Sequence, residues 1–151
     1  MKKLVLLLML FSTPVLAVEP ITGAFGVKLG EVWDGEATKT REKDGFFRYY
    51  FVPESPLDAF DTYYVEVTPV KGLIFRIEAY KRGSCDSQYL AFKQALTKKY
   101  GSGEKRTHSH IWTQGNRTIE LYCSNQFYLT YTDKFIEASR IDELEPDSAD
   151  L

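Results

Sequence analysis

The chain has 151 residues, 44% hydrophobic and 15% aromatic, with 19 basic and 21 acidic side chains. The length suits one domain. A near-neutral, slightly acidic balance without a basic run excludes binding built on nucleic-acid phosphates and argues equally against anionic membrane surfaces.

Residues 1–17 carry the parts of a secretory signal: Lys2 and Lys3, the apolar run from Leu4 to Phe11, Pro14, and Val15-Leu16-Ala17 before a cut. The apolar run is far short of the roughly 18 residues that span a bilayer. Cleavage after Ala17 makes Val18 the new N-terminus, where no cysteine offers a lipid attachment point. Losing Lys2 and Lys3 moves the formal net charge from −2 to −4. No later stretch is apolar enough to span a membrane. The reading is a periplasmic or secreted domain over 18–142, ending in an acidic, frayed tail at 143–151.

The next segment, 18–40, is punctuated by Gly23, Gly26, Gly30 and Gly35, with a short strand expected within 24–30. Residues 38–45 are charged and end in the turn signal Asp44-Gly45. Phe46 to Val52 reads as a strand with aromatics on both faces, ended by Pro53 and Pro56. Thr62 to Thr68 alternates cleanly, Tyr63, Val65 and Val67 against Tyr64, Glu66 and Thr68. The turn at Pro69 to Gly72 leads into a strand from Leu73 to Tyr80 with Leu73, Phe75, Ile77 and Ala79 inward, completing a hairpin. Glu66, Glu78 and Arg76 share its other face and read as a solvated charge cluster.

Ser84 has the chemistry of an N-cap for a helix over 85–100, with Asp86 in its first turn. Cys85, Tyr89, Phe92 and Leu96 make its apolar stripe, with Ala95 beside them, and Gly101 suits the end. Three further strands follow, over 108–113, 117–123 and 126–132, and Asp133 is placed to cap a short helix. Strands, a helix, then strands imply an α+β fold: an antiparallel sheet in two strand blocks with one main amphipathic helix packed on one face. Cys85 and Cys123 are the only cysteines. An even count in an exported chain predicts a disulfide.

Phe25 to Gly30 (FGVKLG), Gly72 to Ile77 (GLIFRI), the helix opening at Cys85, and Lys99-Tyr100-Gly101 together resemble small, uncharacterised exported proteins of Gram-negative bacteria. The likeness spans most of the chain beyond the leader and implies no activity.

Few residues could carry chemistry. His108 and His110 at i, i+2 on a strand would point the same way, with Glu120 on the next strand, but a metal site needs three or four fixed ligands, so no metal or cofactor is expected. Cys85 at a helix start could act as a thiol nucleophile with His108 or His110 as base. Ser84-Cys85-Asp86-Ser87 is faintly similar to the Asp-Cys-Ser-Gly opening of papain-like cell-wall peptidases, but the aspartate follows the cysteine and the glycine is missing. The glycines and lysine of 100–105 follow a helix, the wrong setting for a phosphate loop. The strongest signal is the aromatic surplus on two-faced strands. It points to a non-enzymatic binding domain presenting Tyr49, Tyr64 and Tyr80 to an envelope protein or small ligand. The alternatives are the thiol hydrolase and an envelope structural role.

Overall fold

A computed structural model describes residues 17–43, 45–83 and 85–144. Residues 1–16 of the expected leader at 1–17, the expected Ser84 cap, and residues 145–151 of the expected tail at 143–151 lie outside the described residues.

The chain forms, in order, β1 (Gly23–Ala24), β2 (Val27–Lys28), β3 (Lys39–Lys43), β4 (Phe46–Phe51), β5 (Thr62–Val67), β6 (Ile74–Arg82), α1 (Asp86–Tyr100), β7 (Glu104–Lys105), β8 (Ser109–Gln114), β9 (Arg117–Cys123), β10 (Gln126–Asp133) and α2 (Lys134–Ser139). Turn chemistry explains the tight hairpins: Gly72 (φ +65) sits between β5 and β6, and Gly115 (φ +57) between β8 and β9. The β1–β2 turn is less expected. Phe25 (φ +56) precedes Gly26 (φ +81), and a bulky residue rarely adopts a positive φ. Its ring is held 5.1 Å from Tyr63 and 6.4 Å from Phe60.

Eight strands form one antiparallel sheet in the order β3-β4-β5-β6-β10-β9-β8-β7, and β1-β2 form a separate two-stranded sheet. This corrects the expected α+β fold. Among the described residues the molecule is mostly β, with two helices of 15 and 6 residues, and is not a helix packed on one face of a two-block sheet. The physical reason is the seam between β6 and β10. It runs from Arg76↔Thr132 to Arg82↔Gln126 and fuses the two strand blocks. The expected stripe of α1 does face the core, with Cys85 and Leu96 buried and Tyr89 and Phe92 half-buried against it, whereas Ala95 beside it is exposed. The charged segment supplies β3, which pairs with β4 across a turn that contains Gly45 (φ +73), where the turn signal stands.

Cross-strand register assigns the two faces. Val65, Ile77, Tyr131, Ile119 and Trp112 form one continuous row across five strands. Tyr63, Ala79, Leu129, Leu121 and His110 form the next. These side chains are buried, each large apolar one contributing about 1.5–3 kcal/mol. Ile21, Leu29 and Phe60 join the same core, and Phe92 meets Phe60 and Phe127 edge-on at 5.3 and 5.6 Å. Arg117 fastens the N-terminal segment: its guanidinium donates to the carbonyls of Ile21 (3.0 Å) and Leu29 (3.2 Å) and to Asp133 (3.1 Å).

A bulge in the β5–β6 pairing beside Glu66 and Val67 overturns one inward assignment. Ile74 pairs with Val67 on the core face. Phe75, fully buried, instead meets Phe46 at 5.7 Å, with Arg140 beyond α2 over both rings. An extra residue in one strand shifts the alternation locally.

Cys85 and Cys123 are joined in a disulfide, Cα atoms 5.9 Å apart. It ties the start of α1 to the end of β9. Asp133 caps α2 by accepting from the backbone N–H groups of Phe135 and Ile136, both at 3.2 Å. The start of the expected tail is tied down, since Glu143 accepts from the N–H groups of Val70 (2.9 Å) and Lys71 (3.1 Å).

Candidate functional site on the second sheet face

The face opposite the core is divided in two. Its β4–β5–β6 half holds a charge network closed off by α2. Glu66 is fully buried and accepts from Arg48 Nε (3.0 Å) and Arg76 Nη1 (2.7 Å), while Arg76 also pairs with Glu137 of α2. The expected solvated cluster is therefore a buried one. Arg48 lies 4.0 Å over the Tyr64 ring, a cation–π contact.

The other half, on β6, β10, β9 and β8, is open. Register lays it out as a grid. One row is Tyr80, Tyr128 and Tyr122; the next is Glu78, Thr130 and Glu120; the third is Arg76, Thr132 and Thr118. Tyr122 and Tyr128 stack with centroids 4.5 Å apart and planes 5° from parallel. The groove over the second and third rows, with Tyr128 as the one tyrosine lining it and Arg106, Ile111, Thr113 and Lys134 on its sides, encloses about 400 Å³.

Its electrostatics follow from what each charge meets. Arg76 is engaged by Glu66 and Glu137, Lys134 by Glu137 and Arg106 by Glu104. Glu78 and Glu120 form no salt bridge among the described residues. Glu78 accepts from Thr130 Oγ1 at 2.9 Å and faces the Tyr64 hydroxyl. Burial pushes its carboxyl up from the ordinary range, against those two hydrogen bonds and Arg76. The Tyr128 hydroxyl is pushed up to about 12, first by burial and then by the charges of Glu120 and Glu78. Burial, again with Glu78, also raises Tyr64.

The three tyrosines singled out in the sequence do not converge. Tyr64 and Tyr80 share this face with centroids 6.2 Å apart, although Tyr64 is itself buried. Tyr49 pairs with Val65 on the core face and is stacked by Trp33 at 6.1 Å. Tyr50, one residue on, is the β4 tyrosine beside Tyr64, at 5.6 Å. Tyr122, Tyr128, Thr130 and Glu120 were not joined to the site by sequence reasoning. Alternation places them opposite Leu121 and Leu129, but only β10 pairing with β6 brings them beside Glu78.

The histidines also separate. His108 is exposed, just outside β8, with its ring 6.2 Å from Tyr122 on the open face. His110 is buried on the core face, 4.7 Å from Trp112, with Glu120 on the opposite side of the sheet. No group of three or more metal-ligating side chains occurs among the described residues. Both sulfurs are in the disulfide, and no free cysteine remains.

The fold and bridge define a class: a disulfide-linked, mostly β domain with one covered and one half-open sheet face. No helix among the described residues is long and apolar enough to cross a membrane. Comparison with protein-family models, curated proteins and solved structures gives no match for this chain.

Proposed function

We propose that this chain is a non-enzymatic binding domain of the periplasm or cell exterior, holding a polar ligand of the envelope against the open half of the sheet. The observation that carries the reading is the half-buried Tyr80–Tyr128–Tyr122 row beside Glu78, Thr130 and Glu120 on the face away from the core. Tyrosines offer rigid, amphipathic contact area at low entropic cost, and the flanking carboxylates and threonines offer orienting hydrogen bonds. The leader-like residues 1–17 and the disulfide support an oxidising compartment. The thiol-hydrolase alternative loses its motive, because its nucleophile is a bridge sulfur.

The test is amide NMR of the 18–151 chain titrated with soluble envelope glycans and peptides. Shifts should cluster on Tyr80, Tyr122, Tyr128 and Thr130. The double variant Glu120→Gln/Tyr128→Ala should weaken the responding ligand at least tenfold while the circular dichroism spectrum is retained. Shifts confined to other surfaces, or an unchanged affinity in the double variant, refute the assignment.

A further inference from the structure

A second concavity lies between the β1–β2 hairpin, the 31–36 segment and the 52–55 loop, and encloses about 690 Å³. That volume is in the range of small-molecule sites. Its backbone is fixed. Gly30 N–H donates to Ile74 O (2.8 Å), Ile74 N–H to Glu31 O (2.9 Å) and Trp33 N–H to Gly72 O (3.1 Å), so the segment runs as an added edge along the start of β6. Trp33 is locked as well. It stacks on Tyr49, lies 5.5 Å from Phe51, and covers Gly35 so closely that a Cβ there would sit 2.6 Å from the indole.

The cleft therefore has a rigid apolar wall of Trp33, Phe51, Phe25 and Ile74. Its rim carries four carboxylates and one cation. Lys28 is paired with Glu31 at 3.2 Å, which leaves Asp34, Glu36 and Glu54 without a cationic partner among the described residues. An aromatic wall favours an apolar body, and the unpaired carboxylates on the rim favour a positive head. An anionic ligand would meet the rim's repulsion.

We propose that this cleft binds a small organic cation, its apolar body against Trp33 and its ammonium group among Asp34, Glu36 and Glu54. The site is separate from the open sheet face and stands or falls independently of it.

Trp33 itself is the reporter. The chain has two tryptophans, and Trp112 is 1% exposed, with its indole donating to Gly101 O on the core side. The probes are 4-phenylbutylamine, 4-phenylbutanol and 4-phenylbutyrate, which share one body and differ in head group. Fluorescence and the Trp33 indole N–H resonance of the 18–151 chain should respond saturably to the amine. The response should be at least tenfold weaker for the alcohol and absent for the carboxylate. The variant Asp34→Asn/Glu36→Gln/Glu54→Gln changes only exposed side chains and should bring the amine down to the alcohol's level. Equal binding of amine and alcohol, an unchanged amine affinity in the triple variant, or no Trp33 resonance shift at millimolar amine overturns the proposal. Loss of the open-face ligand in the earlier titration would leave these results untouched.

Discussion

Replacing Glu66 by glutamine tests whether a buried charge network holds the β4–β5–β6 half together. The substitution keeps the shape and removes the charge. Arg48, whose side chain is 15% exposed, would face a neutral amide, and Arg76, 26% exposed, would retain only Glu137. Removing one partner of a buried ion pair costs about 3–5 kcal/mol, because the remaining charge stays buried without compensation. Some water reaches both guanidinium groups and Arg76 keeps one carboxylate, so the lower end, about 3 kcal/mol, is expected. With a urea dependence of about 1–3 kcal/mol per molar, the unfolding midpoint should fall by about 1–3 M, with the disulfide intact. The triple variant Arg48→Met/Glu66→Leu/Arg76→Met removes the three central charges, leaves Glu137 to Lys134 and Arg140, and should unfold at higher urea than Glu66→Gln. A midpoint drop below about 0.3 M for Glu66→Gln, well under the loss expected from a stranded buried charge, would refute the reasoning. So would a triple variant weaker than the single one.

Two further outcomes follow from the same structure. Cys85→Ala/Cys123→Ala opens a loop of 38 residues, and chain entropy sets the loss at about 4 kcal/mol; paired urea melts of the variant and the oxidised parent check it, and equal midpoints would contradict a stabilising bridge. His110 is buried, and its imidazole is held below its ordinary pKa by burial first and by Lys93 and Lys105, against a hydrogen bond to Gly103. The unfolded chain then takes up this proton at higher pH than the folded one, so stability present above pH ~6.5 is lost as pH falls through that value toward the folded pKa. Urea midpoints measured from pH 7.5 to 5 should fall more steeply for the parent than for His110→Leu; parallel curves would refute the assignment.

The local elements were legible because their causes are local. Alternation over 62–67 and 117–123, the glycine turns at 72 and 115, the Asp133 cap and the pairing of two lone cysteines all depend on neighbouring residues or on count alone. The candidate site was only half legible. The aromatic surplus and the shared face of Tyr64, Glu78 and Tyr80 could be read from period two, whereas Tyr49 was grouped with them although its strand register turns it to the core.

What the sequence determined by itself is thus a set of strands, their turns and a covalent link, each fixed by interactions within a few residues or by chemistry that needs no geometry. The tertiary structure decided the rest: that β6 and β10 zip the two blocks into one sheet, that a bulge turns Phe75 to Phe46 and Arg140, and that Tyr128 stands beside Glu78. Strand order, register and coverage are choices among long-range pairings of similar local energy. They are settled by which apolar rows can be buried together, a quantity that no single segment contains.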